Sequence, residues 1–473
     1  MPINSFLYPG PTNSNPYVVD NSCRFNNDSS DNLNRTPSSA SNRRTFTFST
    51  WFKLSGTDGS FISAGTDISN GPLFIIDILS GGNEGILRVE DTVSGDNVIG
   101  LRTNRVLRDI SAWMHLVVAI DTTQSTASDR VKVYINGTQE TSFGTETYPT
   151  QNLELAINNT HEHRIGTRAA NTSGKFFDGY MCETVLVDGS ALAPTSFGEF
   201  DSDSPTIWKP KDVSGLTFGT NGFYLDYKDS SALGNDVSGN NNDWTVNNLT
   251  AVDQSTDTCT NNFATMNPLN VPASDGPVFV NGNLDYSSAA NSDKFHGSST
   301  IGVSSVKWYM EFKPSSGSYS FLGITGDPAE DARNTYNPGY SVSSWGYYQG
   351  AGTVANNNSA SSYGDTYNAS GDIIGVALNI DDNELKFYKN GTVQNSGTAI
   401  SITAVASVPA GAYFFCMGDA SASDQSGAIA NFGSPSFAIS SGNSDANGYG
   451  NFEHSVPSGH YALCTKNLAE FGG

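Results

Sequence analysis

Short stretches in which apolar and polar residues alternate recur along most of the chain, separated by clusters of Gly, Asn, Ser and Asp. Alternation with a period of two places neighbouring side chains on opposite faces of a sheet. In residues 45–54 it puts Phe46, Phe48 and Phe52 on one face. No long stretch has the periodicity of an amphipathic helix. The pattern therefore predicts an all-β protein whose strands are joined by tight turns.

The predicted strands form two groups. The first group comprises residues 22–25, 45–54, 60–64, 73–79, 86–90, 113–120, 131–135 and 180–186, with 222–227 further on. The second comprises residues 306–312, 320–324, 372–380, 384–388 and 412–417. Short strands of regular length favour antiparallel sandwiches over a parallel sheet, and 473 residues exceed what one hydrophobic core usually holds.

The sequence accordingly divides into five parts. They are an N-terminal arm (1–21), a first sandwich (22–200), a loop-rich bridging segment with partial β structure (201–277), a second sandwich (278–440) and a closing segment (441–473).

One strand and its turn occur twice, as Val-Lys-Val-Tyr-Ile-Asn-Gly-Thr in 131–138 and Leu-Lys-Phe-Tyr-Lys-Asn-Gly-Thr in 385–392. Asn-Gly supplies the two positive-φ positions of a type I′ turn, so each copy predicts a hairpin. The connection that precedes each copy differs in length, with nine residues in 122–130 against three in 382–384. We interpret the repeat as the same type of hairpin used in two different domains, and not as a duplication of one domain.

The formal charge of −23, from 24 basic and 47 acidic residues, argues against a nucleic-acid groove, which needs a positive field. The five cysteines are odd in number and not clustered, so no disulfide framework is expected. Apolar runs fall short of the ~20 residues that span a bilayer, and residues 1–6 lack the basic and apolar parts of a secretory signal. We expect a soluble protein, without membrane insertion, made in a reducing cytoplasm.

Carboxylate chemistry has little support in the sequence. Retaining glycosidases need two carboxylates about 5 Å apart. Here Glu90 and Asp91 are adjacent rather than alternate, and Glu183 stands alone on its strand. The sequence also has no serine in a Gly-x-Ser-x-Gly nucleophile elbow and no recognisable phosphate-binding glycine loop. We expect a protein that is not an enzyme.

Histidines give two weak candidates. His161 and His163 would point to one side of an extended segment and could form half of a metal site, but a solvated loop pair explains them better. His115 lies inside a strand, where a hydrogen-bonded structural histidine is the expected role.

A loop in the bridging segment crowds oxygen ligands around a glycine, as a hard cation such as calcium requires. The residues are Asp236, Ser238, Asn240, Asn242 and Asp243. The spacing lacks the final Glu of an EF-hand, and an Asn-rich turn is the competing interpretation. No cofactor is required by the sequence, and calcium is the one candidate.

One loop region of the second domain is rich in aromatic residues and has the composition of a recognition surface, because flat rings stack on sugars or fill peptide pockets at small entropic cost. The candidate ligand-binding residues are Tyr336, Tyr340, Trp345, Tyr347 and Tyr348, with Tyr363 in the same region. Packing of the same rings in a core is the alternative.

The first domain resembles the laminin-G/concanavalin-like jelly-roll family through residues 43–52, 113–121, 131–137 and 177–183. The second resembles a SPRY domain through residues 361–365, 371–376 and 385–391. Both resemblances imply antiparallel two-sheet sandwiches. Rim calcium sites occur in laminin-G domains and SPRY domains bind partners through loops, which fits the two candidate regions.

The pairing of the two domains, with residues 197–199, 208–210, 221–225 and 462–468, resembles structural proteins of tailed bacteriophages. This resemblance implies a virion protein, such as a tail fibre, capsid fibre or decoration component, made in the host cytoplasm. Its expected partners are other virion proteins, a host-surface glycan and further copies of itself, for example in a trimer. A depolymerase of host polysaccharide and a purely architectural cement protein are the alternatives.

Overall fold

Two separate sets of apolar side chains define two β-sandwiches in the computed structural model, which describes residues 17–66, 71–93, 95–169, 175–271, 277–287, 295–334, 336–369, 371–419 and 426–472. The predicted all-β architecture of two antiparallel sandwiches is confirmed. Phe46, Phe48 and Phe52 are fully buried in the first core, as their alternation predicts.

Among the described residues, the first sandwich and a hairpin beside it contain eighteen strands. They are β1 Ser22–Phe25, β2 Asn32–Arg35, β3 Thr45–Leu54, β4 Gly59–Gly65, β5 Leu73–Ile78, β6 Ile86–Val93, β7 Asp96–Val106, β8 Met114–Asp121, β9 Val131–Ile135, β10 Thr138–Glu140, β11 Phe143–Thr147, β12 Glu162–Ile165, β13 Gly179–Asp188, β14 Gly198–Phe200, β15 Trp208–Pro210, β16 Phe223–Leu225, β17 Thr245–Asn247 and β18 Gln254–Ser255. One sheet has the order β10-β9-β8-β3-β13-β1-β18 with β16 beside β13, and the other has the order β11-β7-β6-β5-β4-β12-β2-β17. β14 and β15 form a separate hairpin.

The second sandwich contains fifteen strands and the two α-helices of the described residues. They are β19 Val278–Val280, β20 Asp285–Ser287, β21 Phe295–Ser298, β22 Lys307–Ser316, β23 Ser320–Thr325, α1 Pro328–Arg333, β24 Ser344–Tyr348, β25 Thr353–Asn356, β26 Ser359–Ser362, β27 Ile374–Asn379, β28 Glu384–Lys389, β29 Thr392–Val393, β30 Ile400–Ser401, β31 Phe414–Asp419, β32 Gly427–Asn431, β33 Tyr461–Ala462 and α2 Thr465–Phe471. One sheet runs β19-β20-β32-β22-β27-β28-β29, with β30 beside β28 and β33 beside β22. The other runs β21-β31-β23-β24-β25-β26.

Strand β7 is absent from the predicted strands. Its sequence, Asp-Asn-Val-Ile-Gly-Leu-Arg-Thr-Asn-Arg-Val, carries Asn, Arg and Gly between the apolar positions, and its ends are exposed. Ile99 and Leu101 are its buried apolar residues, and Val98 packs against the core while partly exposed. A strand with so few apolar residues gives too weak an alternation to be distinguished from a loop.

The bridging segment contributes strands to the first sandwich. β16 pairs with β13, β17 with β2 and β18 with β1. Phe197, Phe218 and Tyr224 also cover Val117 and Val185 on the outer face of the sheet that contains β13. One face of that sheet is therefore shielded by the chain itself.

Both repeated turns have the predicted type I′ geometry, with φ of 48° and 74° at Asn136 and Gly137, and 49° and 77° at Asn390 and Gly391. Each asparagine also makes the same contact. The Asn136 Oδ1 accepts a hydrogen bond from the His115 backbone N–H at 2.7 Å, and the Asn390 Oδ1 accepts one from the backbone N–H preceding β27 at 2.8 Å. The repeat marks equivalent corners of two different sandwiches.

Two similar segments, Cys-Thr-Asn-Asn-Phe-Ala at 259–264 and Cys-Thr-Lys-Asn-Leu-Ala at 464–469, lie side by side at the junction of the domains. Phe263 and Cys464 form an antiparallel bridge. The Thr465 N–H donates to the Asn262 carbonyl at 2.9 Å. These contacts attach the closing segment to the segment that leads into the second domain.

Within the described residues, neither helix is long and apolar enough to cross a membrane.

Candidate functional site

The five aromatic residues predicted as a recognition surface do not form one surface. Trp345 and Tyr347 occupy alternate positions of β24, so both side chains point into the second core, where 5% and 0% of their surfaces are exposed. Tyr347 packs against Tyr363 with ring centroids 5.6 Å apart, and its hydroxyl donates to the Asp365 carbonyl. The side chains of Trp345 and Tyr347 therefore contribute mainly to the hydrophobic core of the second domain.

The other three aromatic residues lie nearer the surface. Tyr348 faces away from the core and stacks on Phe321 at 4.6 Å. Tyr336 and Tyr340 stack on each other at 4.1 Å in the connection between α1 and β24, where both are partly exposed. They form a small aromatic platform that is separate from Trp345.

Trp345 nevertheless reaches the floor of a cleft of about 340 Å³, which we call the Trp345 cleft. Its lining consists of apolar Trp345, Val354, Tyr363 and Ile400 and polar Asn356, Ser359, Ser361, Ser362 and Asn395. The strand β26, an exposed edge strand, supplies the three serines. The volume lies at the lower end of the 300–1,000 Å³ that is roughly typical of ligand pockets.

The floor of this cleft is rigid. The Tyr363 hydroxyl accepts a hydrogen bond from the Phe387 N–H at 3.2 Å, and its ring packs edge-on against Phe387. The Asn356 amide donates to the carbonyls of Val342 and Ser344 at 3.0 and 2.8 Å. A ligand would therefore meet preformed apolar rings beneath a rim of hydroxyl and amide groups, and none of the described lining residues is an Asp, Glu, His, Lys or Arg.

Sequence reasoning selected Trp345 and the region of Tyr363 but not the serine rim. The signal for that rim was the run Asn-Asn-Asn-Ser-Ala-Ser-Ser at 356–362, which is too polar to be read as a strand. β26 forms because it pairs with β25 along all four residues.

The proposed calcium loop is organised around the Asp236 carboxylate. Oδ1 accepts hydrogen bonds from the Tyr224 and Ser238 N–H groups, both at 2.9 Å. Oδ2 accepts from the Ser238 hydroxyl at 2.9 Å and the Asn242 N–H at 2.8 Å. Asp243 in turn accepts from the Asp236 N–H at 2.9 Å. Both carboxylates are thus used to fold the loop.

The amides of the same loop are also engaged. Nδ2 of Asn240 and of Asn242 both donate to the Gly222 carbonyl, at 2.9 and 2.8 Å, and Oδ1 of Asn242 accepts from the Arg35 guanidinium. A guanidinium and several N–H groups donate hydrogen bonds to the side-chain oxygens of this loop. These oxygens therefore face positive charge and donors where a bound cation would need free acceptors. The five residues in this arrangement do not fit a calcium site. Among the described residues, no group of three or more His, Cys, Asp or Glu side chains could hold a metal ion.

His115 has a structural environment. Its ring stacks on Trp51 with centroids 4.5 Å apart, the Trp208 Nε1–H donates to its Nδ1 at 3.0 Å, and its Nε2 lies 2.9 Å from the Ser49 hydroxyl. Burial lowers the pKa of His115 to about 3. The ring is therefore a neutral, fixed part of the sheet.

The interpretation of His161 and His163 as a solvated pair is wrong for His163. That side chain lies in β12 and is 2% exposed. Its Nε2 accepts a hydrogen bond from the Asn158 N–H at 3.0 Å, and its Nδ1 lies 2.9 Å from the His161 carbonyl. The alternation of β12 turns it into the sandwich, and burial lowers its pKa to about 4.

Glu90 and Asp91 project from opposite faces of β6. Glu90 pairs with Arg88 at 3.2 Å on the outer face, whereas Asp91 lies in the interior and accepts from the Ala156 N–H at 2.9 Å. They cannot act jointly on one glycosidic bond.

Glu183 lies at an irregular point of β13, with φ of 50°, and is 4% exposed. The hydroxyls of Tyr17 and Tyr224 each donate to its carboxylate at 2.9 Å. Burial raises the pKa of Glu183 from 4.5 to about 7. The carboxylate is covered by the chain rather than open to a substrate.

Comparison with known proteins agrees with this architecture. Residues 27–195 match the concanavalin A-like lectin/glucanases superfamily in its Laminin_G_3 form, and residues 307–420 match the SPRY domain. No curated protein matches the chain.

Similar solved structures include the SPRY domain of human HERC1, at 18% identity over 31% of this chain and 87% of that chain, with a TM-score of 0.24. A candidate carbohydrate-binding protein of Bacteroides ovatus has 16% identity over 49% of this chain and 59% of its own, with a TM-score of 0.31. Stonustoxin has 15% identity over 36% of this chain and 27% of its own, with a TM-score of 0.28. The two family matches fall on the two β-sandwiches in the order in which they occur along the chain, and a concanavalin A-like fold suggests a binding role.

Proposed function

We propose that this chain is a non-enzymatic structural protein of a bacteriophage particle, and that it adheres to a host-surface glycan through the Trp345 cleft. It would be a tail-fibre, capsid-fibre or decoration component. The observation that carries the adhesive role is the cleft itself, with its aromatic floor and its rim of serine and asparagine side chains. The virion assignment rests on the resemblance of the domain pairing, with residues 197–199, 208–210, 221–225 and 462–468, to structural proteins of tailed bacteriophages.

The chemistry of the cleft favours a neutral sugar. The small parts of Tyr363 and Trp345 that are exposed, 8% and 5% of their surfaces, give the cleft an apolar floor for the C–H groups of a pyranose, while hydroxyl and amide groups can exchange hydrogen bonds with its hydroxyls. Charged side chains are missing from the lining, so an ionic ligand would gain no counter-charge. The net charge of −23 further disfavours an anionic polymer.

Affinity at one such cleft is expected to be low because it is small and shallow. Many copies on one particle would convert weak contacts into firm attachment, since later contacts form at a high effective concentration. A homo-oligomer, for example a trimer assembled through sandwich faces, would supply the first level of this multivalency.

Labelled protein added to host cells tests the proposal. We expect saturable binding that is lost when periodate oxidises the cell-surface glycans. Ser361→Trp should abolish binding because the indole fills the cleft. Ala360→Trp is the matched control, since Ala360 is an exposed neighbour on β26 outside the lining.

The same assay separates the alternatives. Release of reducing ends from host polysaccharide, abolished by a single carboxylate substitution, would identify a depolymerase and contradict the proposal. Failure to bind cells combined with saturable binding to particles that lack the protein would identify an architectural cement protein.

A further inference from the structure

We propose that Cys182 and Cys259 form a disulfide when the protein meets a low-molecular-weight disulfide such as oxidised glutathione, and that this bond locks the junction between the two domains. The proposal does not depend on glycan binding. It assigns a covalent modification site to two residues that are far apart in sequence.

The two sulfur atoms already lie 3.7 Å apart. Cys182 is fully buried on β13, and Cys259 is half-buried in the segment that follows β18. All five cysteines are described, and all are free thiols. The fold thus brings together a thiol of the central sheet and a thiol of the connecting segment.

Several contacts hold Cys259 in this position. Two residues before it, Asp257 pairs with Lys53 of β3 at 2.9 Å. The next residue, Thr260, donates its hydroxyl to the Val19 carbonyl at 3.0 Å and accepts from the Val19 N–H at 3.2 Å. Because both sides of Cys259 are anchored to the first domain, the two thiols remain in proximity without any domain movement.

The bond would lie on the first-domain side of the junction, close to the residues that contact the second domain. Four residues after Cys259, Phe263 packs with Tyr309 and Phe452 of the second domain and bridges to Cys464. Linking Cys259 to β13 would therefore fix the start of the second domain to the centre of the first sheet.

The chemistry is thiol–disulfide exchange. The Cys259 sulfur, as a thiolate, attacks one sulfur of glutathione disulfide, so that a mixed disulfide forms and one glutathione thiolate leaves. The Cys182 thiol then loses its proton, its sulfur attacks the Cys259 sulfur, and the second glutathione leaves. Two protein thiols are oxidised, one glutathione disulfide is reduced to two glutathione molecules, and the two released protons go to the glutathione thiolates.

The reaction should be slow at neutral pH. Burial and the Cys182 thiol raise the pKa of Cys259, which lowers the fraction of reactive thiolate. The half-exposed Cys259 is the thiol that reagent reaches first, and the rate should increase as the pH is raised.

The test is incubation of the full chain, natively folded, in glutathione buffers of increasing oxidising strength. We expect a mass loss of two hydrogen atoms and a single linked pair of peptides, containing Cys182 and Cys259, in a non-reducing digest. The melting temperature should rise on oxidation and return on reduction. Cys259→Ser should abolish all three changes, and Cys416→Ala, at a buried thiol of the second core, should preserve the linked peptide pair.

Stable glutathione adducts on Cys259 without intramolecular closure would overturn the proposal. So would a native protein that stays fully reduced under oxidising buffer while an unfolded control becomes cross-linked. Cys182→Ala provides a second variant, because it tests closure from the other side and should leave Cys259 trapped as the mixed disulfide.

Discussion

The Lys53 ammonium lies 2.9 Å from the Asp257 carboxylate, and each side chain is only 1% exposed. Lys53 also donates to the Phe263 carbonyl at 2.9 Å, and Asp257 accepts from the Trp113 indole N–H at 2.8 Å. This buried pair connects β3 of the first sandwich to the segment that enters the second. Buried charges of this kind are tolerated only because their hydrogen bonds are complete.

Replacing Lys53 by Met should therefore destabilise the protein strongly, because Asp257 would be left buried without its counter-charge. We expect a loss of about 3–5 kcal/mol in the free energy of urea-induced unfolding. The matched control is Lys209→Met, which removes partly exposed ion pairs with Asp201 and Glu199 and should cost at most about 1 kcal/mol. Equal losses in the two variants would contradict this account of the junction.

Glu183→Gln should alter the pH dependence of stability. Burial raises the pKa of Glu183 to about 7, so the folded state holds this proton more tightly than the unfolded chain, where the pKa is near 4.5. The stabilisation from the protonated group is fully present below pH 4.5 and is lost as the pH rises towards 7.

The glutamine variant keeps a neutral side chain at every pH. It should match the natural protein near pH 4 and exceed its unfolding free energy by about 3 kcal/mol at pH 8. Chemical denaturation across this range measures the difference, which isolates Glu183 from the other buried carboxyl groups. A difference that does not change with pH would refute the assignment.

The two Asn-Gly turns provide a matched pair of substitutions. Gly137 and Gly391 both have φ near 75°, so alanine should cost about 1–2 kcal/mol at either site. At Gly137 a Cβ would also lie 2.5 Å from the Trp208 ring, whereas at Gly391 the nearest atom is the His454 Nδ1 at 3.2 Å. Gly137→Ala should therefore reduce the melting temperature more than Gly391→Ala does. The reverse order would show that the Trp208 contact does not limit the turn.

The Asp236 loop should respond to mutation but not to calcium. Asp236→Ala removes the acceptor of four hydrogen bonds and should lower the melting temperature substantially. Chelator should leave the melting temperature of the natural protein unchanged. A fall with chelator that the alanine variant no longer shows would restore calcium binding at this loop.

Sequence alternation was sufficient to predict the strands whose apolar faces are complete. β1 and β9 have the predicted bounds, and the phenylalanines of β3 share the core face as expected. β7 could not be found because its few apolar residues are interrupted by polar ones. Trp345 and Tyr347 are two residues apart on β24, so alternation alone places both rings on the same face of the sheet. Their aromatic composition did not show that this face is the core, because a recognition surface can have the same composition.

The oxygen-rich loop shows a different limit. Asp236, Asn240 and Asn242 have the side chains of a cation site, yet the Asp236 carboxylate binds the backbone of the loop and the two amides bind carbonyls of residues 219–222, just before β16. Composition cannot distinguish these two uses. Likewise, Cys182 and Cys259 are in contact because the bridging segment returns to β13. A local sequence pattern does not predict this return.

Glycan adhesion through the Trp345 cleft can be measured by calorimetric titration of purified host-envelope polysaccharide fragments into the natural protein, Ser361→Trp and Ala360→Trp. We expect weak binding by the natural protein and by Ala360→Trp, and none by Ser361→Trp, with all three proteins equally folded. Undiminished binding by Ser361→Trp, or no binding by any of the three at concentrations that saturate host cells, would contradict glycan adhesion through the Trp345 cleft.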